Sequence, residues 1–281
     1  MQTFGSVDEL RRPLAEWRQD QVRVALVPTM GNLHEGHLEL VRRAAREAER
    51  VVVSIFVNPT QFGPREDFAS YPRTPEADLA ALALEGVDAV FLPDEAEVYP
   101  LGRSAATRVS IPGLMDDLCG RLRPGHFEGV ATVVLRLLNM VAPDVAVFGQ
   151  KDYQQQLVIR HLVHDLRVAT RIVMAPTSRE SDGLARSSRN QYLTAEERAR
   201  APALYAALGA VAAGLAQPGA SPGALCDAAM ASLREAGFDP EYVEVRDAAT
   251  LAACAALDRP MVVLGAARLG RARLIDNLLI P

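Results

Sequence analysis

Two apolar runs flanking one amphipathic stretch constrain this chain more than any other feature. Residues 22–27 read VRVALV and residues 51–57 read VVVSIFV. Between them Leu38, Val41, Ala44, Ala45 and Ala48 recur at helical spacing over residues 37–50. A strand that is apolar at nearly every position needs cover on both faces, which parallel sheets with helical crossovers provide. Strand, helix and strand within 36 residues predict a βαβ unit.

The alternation continues. Helices are expected over residues 6–18, 75–85, 131–141 and 153–166, and strands over 89–92, 144–148 and 171–174, with a short strand at Val109 and Ile111 and a turn at 113–118. The fold class that follows is α/β, a Rossmann-like doubly wound parallel sheet over residues 1–175. Helix 131–141 is apolar on two sides, which fits burial against the sheet or a subunit interface. From residue 194 the chain is Ala-rich. Helices near 195–216 and 223–236 and strands near 242–245, 261–266 and 273–275 predict a smaller C-terminal α+β domain over 176–281.

Apolar residues make up 49% of the 281, ample for two cores, and a net charge of −5 argues against a general nucleic-acid surface. Cys119, Cys226 and Cys254 fit neither a disulfide framework nor a metal pair, so reduced thiols and a cytoplasmic location are expected. The first twenty residues are charged throughout, unlike a signal peptide, and no window reaches the length of a membrane span. Lys151 is the only lysine among 30 basic residues, which suggests that a compact point charge is needed there.

Chemistry-bearing residues gather where strands end. In residues 24–37, VALVPTMGNLHEGH, the first strand gives way to a glycine turn that delivers His34 and His37 to a helix start. Three residues apart, they are neighbours on one helical face, and Gly36 admits a ligand to the backbone N–H groups. An anion, above all a phosphate, suits this site; the bland alternative is a satisfied turn histidine beside a half-exposed helical one. No Cys, Asp or third His stands nearby to complete a metal shell. Asn58 and Gln61 follow the second strand and suit a small polar substrate, or are ordinary loop polarity. Arg123 and His126 flank a Pro-Gly turn, as a second anion contact or a structural loop. Gly149, Lys151 and Asp152 close a third strand, and Ser187, Ser188 and Arg189 form a phosphate clamp or a helix cap.

Strand ends of a parallel sheet share one edge, so a single cleft is expected, with residues 187–189 closing over it. The Walker A, GxGxxG, GxSxG and HExxH patterns are absent from the sequence. No activated nucleophile stands out. The simplest chemistry is attack by a bound substrate on a nucleotide phosphate, with positioning and charge neutralisation as the catalysis.

The segments PTMGNLHEGH, FVNPTQF, YPRT, RPGHFEGVATVV, FGQKDYQQ, DGLARSSRN and RLIDN occur in this order over nearly the whole chain. Together they resemble the pantothenate synthetase (pantoate–β-alanine ligase) family of the HxGH nucleotidyltransferases. The resemblance implies ATP and Mg2+, an enzyme-bound pantoyl adenylate, attack on it by β-alanine, and a homodimer. It makes the first domain nucleotide- and pantoate-binding and the second a lid. By motif, Met30, Gly31, His34, Gly36 and His37 would bind ATP, with His37 the acid candidate. Gly149, Lys151 and Asp152 would hold ribose, adenine and phosphate. Ser178 would meet the adenine through its backbone, and Arg186, Ser187, Ser188 and Arg189 the phosphates. Gln61 and Gln155 would grip pantoate, Gln61 also serving β-alanine. Arg186 departs from the apolar residue usual at its position, and Asn32 from a smaller one. Two other readings are a different HxGH nucleotidyltransferase, which would need a cationic acceptor pocket, and a catalytically silent ATP-binding module.

Overall fold

The computed structural model describes residues 1–64, 66–254 and 259–281, so Arg65 of the polar loop after the second strand lies outside the described residues. In chain order the elements are β1 (Gln2–Phe4), α1 (Val7–Gln19), β2 (Val24–Thr29), α2 (Glu35–Glu47), β3 (Arg50–Ile55), α3 (Pro75–Leu84), β4 (Ala89–Phe91), α4 (Glu95–Val98), α5 (Cys119–Leu122), α6 (His126–Val141), β5 (Val145–Gly149), α7 (Tyr153–Asp165), β6 (Arg171–Ala175), α8 (Ala195–Arg200), α9 (Ala203–Leu215), α10 (Pro222–Glu235), β7 (Asp239–Asp247), β8 (Met261–Leu269) and β9 (Ala272–Ile280).

Strands β1 to β6 form one sheet in the order β1-β4-β3-β2-β5-β6, and every pairing within it is parallel. The apolar runs are explained by the pleat, because alternate residues face opposite sides. Val24 and Leu26 of β2, Val52 of β3, and Ala146 and Phe148 of β5 enter one core cluster. Ala25 and Val27, Val51 and Val53, and Val145 and Val147 enter another. Helix α6 buries Val130, Val133, Val134, Leu137, Leu138 and Val141 in the first of these cores. These six share one face of the helix, and Leu135 on the other side is half-buried.

Two compact units emerge, residues 1–149 with 158–175, and residues 150–157 with 176–281. This differs from a division after residue 175 in one segment. Asn277 Nδ2 donates to the carbonyls of Gln150 and Lys151, both at 2.9 Å, and the Tyr153 hydroxyl donates to the Ala248 carbonyl at 2.7 Å, tying 150–157 to the second unit. That unit packs Leu204, Leu208 and Val211 of α9 and Leu233 of α10 against the antiparallel sheet β7-β8-β9.

Other departures have local causes. The expected helix 195–216 is broken into α8 and α9 at Ala201–Pro202, where proline lacks the N–H a continuing helix needs. No strand forms at Val109 and Ile111, whose N–H groups go to Thr132 Oγ1 at 3.0 Å and Met115 Sδ at 3.3 Å. Among the described residues no helix is long and apolar enough to cross a membrane.

Candidate active site

The turn between β2 and α2 is fastened from both sides. Thr29 Oγ1 donates to the Ser54 carbonyl of β3 at 2.8 Å and accepts the Gly31 N–H at 3.2 Å. Gly31 (φ +77°) and Asn32 (φ +50°) are both left-handed, a conformation open to glycine and tolerated by asparagine. A side chain at Gly31 would also stand 3.0 Å from Asp78 Oδ2. Asp78, a 3% exposed carboxylate of α3, accepts the N–H groups of Asn32 and Leu33 at 2.9 and 2.8 Å and the Thr74 hydroxyl at 3.1 Å.

His34 caps α2 with its ring: Nδ1 accepts the Gly36 N–H at 3.1 Å. His37 reaches back, its Nδ1 accepting the His34 N–H at 3.3 Å, and the two rings lie 4.1 Å apart between centroids. A backbone N–H can only donate, so each Nδ1 presents its lone pair and each proton sits on Nε2. The helix mouth thus carries two imidazoles fixed as Nε2–H donors, beside the positive end of the helix dipole.

Beyond β3 the chain forms a tight 3-10 turn at residues 59–61 that packs beneath α6. A Cβ on Gly129 would fall 2.4 Å from the Thr60 carbonyl oxygen, so this approach requires glycine. Asn58 is 1% exposed and its amide is saturated. Its Nδ2 donates to Gln61 Oε1 at 3.1 Å and to the Gly129 carbonyl at 3.2 Å. Its Oδ1 accepts the Thr60 N–H, the Thr60 hydroxyl and the Tyr99 hydroxyl at 3.3, 3.0 and 2.7 Å. Asn58 therefore holds Gln61 and has no hydrogen left for a substrate. Gln61 Nε2 donates to Met30 Sδ at 3.1 Å.

Arg123 and His126 also turn inward. Arg123 forms a two-point ion pair with Glu66 at 2.6 and 2.7 Å, and its third nitrogen lies 2.9 Å from His126 Nε2. His126 Nδ1 lies 2.8 Å from the Gln61 carbonyl. That acceptor assigns the ring proton to Nδ1 and leaves Nε2 to accept from Arg123. Burial alone would raise the Glu66 carboxyl, but the hydrogen bonds and charge of Arg123 outweigh it and hold the group at about 2. The Arg123 charge is paired with Glu66, so Arg123 and His126 together hold Glu66 and the Gln61 carbonyl.

In the second unit Lys151 and Asp152 follow β5 at a short 3-10 turn, with Nζ 3.9 Å from Asp152 Oδ2. Lys151 lines a narrow cleft with Ser187, Asn190, Tyr205 and Asp276. Gln155 is half-buried on the first turn of α7. Buried Asp276 receives Arg179 at two points, 2.6 and 2.9 Å, and the guanidinium lies over the Tyr205 ring. The Ser178 carbonyl accepts the Arg186 N–H at 2.9 Å, and Ser187 Oγ caps the following 3-10 turn by accepting the Arg189 N–H at 3.2 Å. Arg186 pairs with Glu180 at 3.1 Å and donates to the Arg179 carbonyl at 3.3 Å, so the unusual arginine staples its own hairpin. Thr177 Oγ1, Ser178 Oγ and Asn190 Oδ1 are buried without a hydrogen-bond partner.

Sequence reasoning missed Asp78, Tyr99 and Glu66, and assigned no role to Arg179, Asp276 or Asn277. An acidic residue near a helix start reads as a dipole complement, so nothing local marked Asp78. Among the described residues no three or more His, Cys, Asp or Glu side chains converge as metal ligands.

Comparison with known proteins supplies the family. The chain is 57% identical over 274 residues to the pantothenate synthetase of Paramagnetospirillum magneticum, covering 97% of this chain and 95% of that one. A crystal structure of pantothenate synthetase from Thermus thermophilus superposes with a TM-score of 0.91 at 47% identity, covering 99% of both chains. The pantoate-beta-alanine ligase of Francisella tularensis, solved in complex with beta-gamma ATP and beta-alanine, gives 0.80 at 33% identity over 99% of this chain and 97% of that one. The model of the pantoate-beta-alanine ligase family matches residues 2–279, and this chain belongs to that family.

Proposed function

We propose that this chain condenses pantoate with β-alanine to give pantothenate at the expense of ATP, through an enzyme-bound pantoyl adenylate. The observation that carries this reading is the Francisella tularensis relative, matched along almost the whole chain and complexed with beta-gamma ATP and beta-alanine. A pantoate carboxylate oxygen bonds to the α-phosphorus of ATP while the bond to pyrophosphate breaks. The β-alanine amine then attacks the acyl carbon, the acyl–AMP bond breaks, and the surplus amine proton passes to solvent.

Each unit contributes groups suited to this chemistry. In the first, Met30, Gly31 and Gly36 line the α2 mouth, and His34 and His37 offer Nε2–H donors to charge on the departing pyrophosphate. In the second, Lys151 supplies a point charge for phosphate, with Ser187, Ser188 and Arg189 as further donors and Asp152 and the backbone of Ser178 for the nucleotide, while Gly149, at the end of β5 in the first unit, offers its backbone to the nucleotide. Gln61 in the first unit and Gln155 in the second each carry an amide suited to pantoate. Asn58, Arg123 and His126 act through Gln61, and Arg186 through its hairpin.

Mg2+ fits a site of this kind as a nucleotide-borne ion. It binds phosphate oxygens, water and one or two carboxylates rather than a cage of protein ligands, and Asp152, with its side chain 47% exposed, is the carboxylate beside Lys151. Bound there, the ion would neutralise phosphate charge. The three cysteines, none of them in a disulfide, favour a cytoplasmic location. Homodimerisation rests on the family resemblance, and light scattering showing a monomer would remove it.

A transferase acting on a phosphorylated acceptor would need a cationic pocket near Gln61, and Arg123 is already neutralised by Glu66. The decisive experiment is exchange of labelled pyrophosphate into ATP by the folded protein. It should occur only when pantoate is present; no exchange with pantoate would sink the proposal.

A further inference from the structure

The oxygen and nitrogen of a side-chain amide are told apart by their partners. Two partners of Asn58 are backbone groups with no choice of role: the Gly129 carbonyl only accepts and the Thr60 N–H only donates. They fix the Asn58 amide in one orientation, with the Tyr99 hydroxyl, 2.7 Å from Oδ1, and the Thr60 hydroxyl reinforcing it. The second Nδ2 hydrogen then meets Gln61 and compels Gln61 to turn its Oε1 inward. What remains on the other side is Nε2, one hydrogen directed at Met30 Sδ and one left over.

We propose that Asn58 is a polarity-setting residue: through Gly129, Thr60 and Tyr99 it locks the Gln61 amide as a donor, so that this position selects substrates presenting an oxygen acceptor. Both acids of the proposed reaction carry such oxygens. The inference rests on the reading of Gln61 as a substrate contact. His126 supports it from the backbone side, because its Nδ1–H holds the Gln61 carbonyl at 2.8 Å and prevents the residue from swinging as a whole.

An isosteric change separates polarity from shape. In Asn58→Asp both carboxylate oxygens accept, so Gln61 turns over, donates inward and presents Oε1 outward. With glutamine side chains labelled with nitrogen-15 and the Gln61 pair identified by its loss in Gln61→Glu, the parent should show a nuclear Overhauser effect between the Gln61 amide protons and the Met30 methyl. This contact should vanish in Asn58→Asp and persist in Tyr99→Phe, where the two backbone partners of Asn58 survive. Its absence from the parent, or its persistence in Asn58→Asp, overturns the proposal. Should Asn58→Asp not fold, Asn58→Ala carries the same test: the contact should weaken, and an unchanged contact overturns the idea.

Kinetics supply the second arm. The KM for pantoate should rise about tenfold or more in Asn58→Asp, with the KM for ATP unchanged and the rise larger than in Asn58→Ala. A purely structural Asn58 gives the reverse order, since alanine leaves the larger void. If the amide turns over and the pantoate KM stays put, Gln61 is not a substrate contact, and the proposal falls together with that role but not with the ligase reading, which pyrophosphate exchange tests separately.

Discussion

The turn at residues 29–37 and the stretch at residues 177–190 are both polar and carry the residues expected to face nucleotide, yet they are finished to different degrees. In the first, the N–H groups of Gly31, Asn32, Leu33, His34, Gly36 and His37 all have acceptors within the protein. In the second, Thr177 Oγ1, Ser178 Oγ and Asn190 Oδ1 are buried with none. Buried polar atoms without partners are uncommon and costly, and they mark places where a ligand can complete the hydrogen bonding. The helix mouth is thus preorganised by its own chain, whereas the second stretch holds polar atoms in reserve for what binds there.

The largest test of that contrast is Lys151→Ala. Lys151 Nζ is 3.9 Å from Asp152 Oδ2, a loose pairing for a charge meant for a ligand. Adenylate formation in a single turnover should fall about 10²- to 10³-fold, the usual loss when one electrostatic donor is removed, with the melting temperature almost unchanged. A large drop in melting temperature with near-normal turnover would reverse the assignment. Asp78→Ala should do what Lys151→Ala does not. It strands two part-buried N–H groups and is expected to destabilise the protein by about 2 kcal/mol in urea titrations, with activity falling because His34 and His37 lose their setting. Unchanged stability would mean that the turn does not depend on its anchor.

The same contrast explains what could be read from sequence. Strands β2, β3 and β5 were legible because two-sided burial leaves an apolar signature at every position. Strand β1, with only three residues and an exposed start, left none. His34, His37 and Lys151 were legible because their residue types and places at strand ends announce chemistry. Asp78 lies 41 residues beyond His37 and acts through backbone N–H groups, which carry no sequence signal. Arg123 and His126 could be read as a candidate site but not as neutralised, since Glu66 meets them only in the fold. Asp276 and Asn277 matched a family segment whose purpose, holding Arg179 and the backbone at residues 150–151, emerges only from distances.

Glu66 allows a test by pH. Its carboxyl is held at about 2, below the ordinary 4.5, so the ion pair with Arg123 contributes stability that is full above pH 4.5 and is lost as pH falls through about 2. With a quarter of the side chain still in water, the contribution is about 2 kcal/mol. Parent protein should exceed Glu66→Gln by this amount at neutral pH, and urea titrations should show the gap closing between about pH 4.5 and 2. A gap that stays constant with pH would show that Glu66 acts by packing rather than by charge.

The smallest effect discriminates most sharply. If Ser178 Oγ lacks a partner because a ligand supplies one, Ser178→Ala removes an unmet desolvation cost rather than a bond. Thr177→Val does the same at nearly constant shape. Both variants should then leave the ligand-free protein as stable as the parent or more stable, by up to about 1 kcal/mol, opposite in sign to Asp78→Ala. Thermal shift with ATP present should reveal the other half of the argument, because the stabilisation conferred by the nucleotide should shrink in these variants as its affinity falls. Variants that lose stability without ATP while keeping the full nucleotide-induced shift would show that these hydroxyls serve the hairpin itself, and the two regions would then differ in sequence but not in kind.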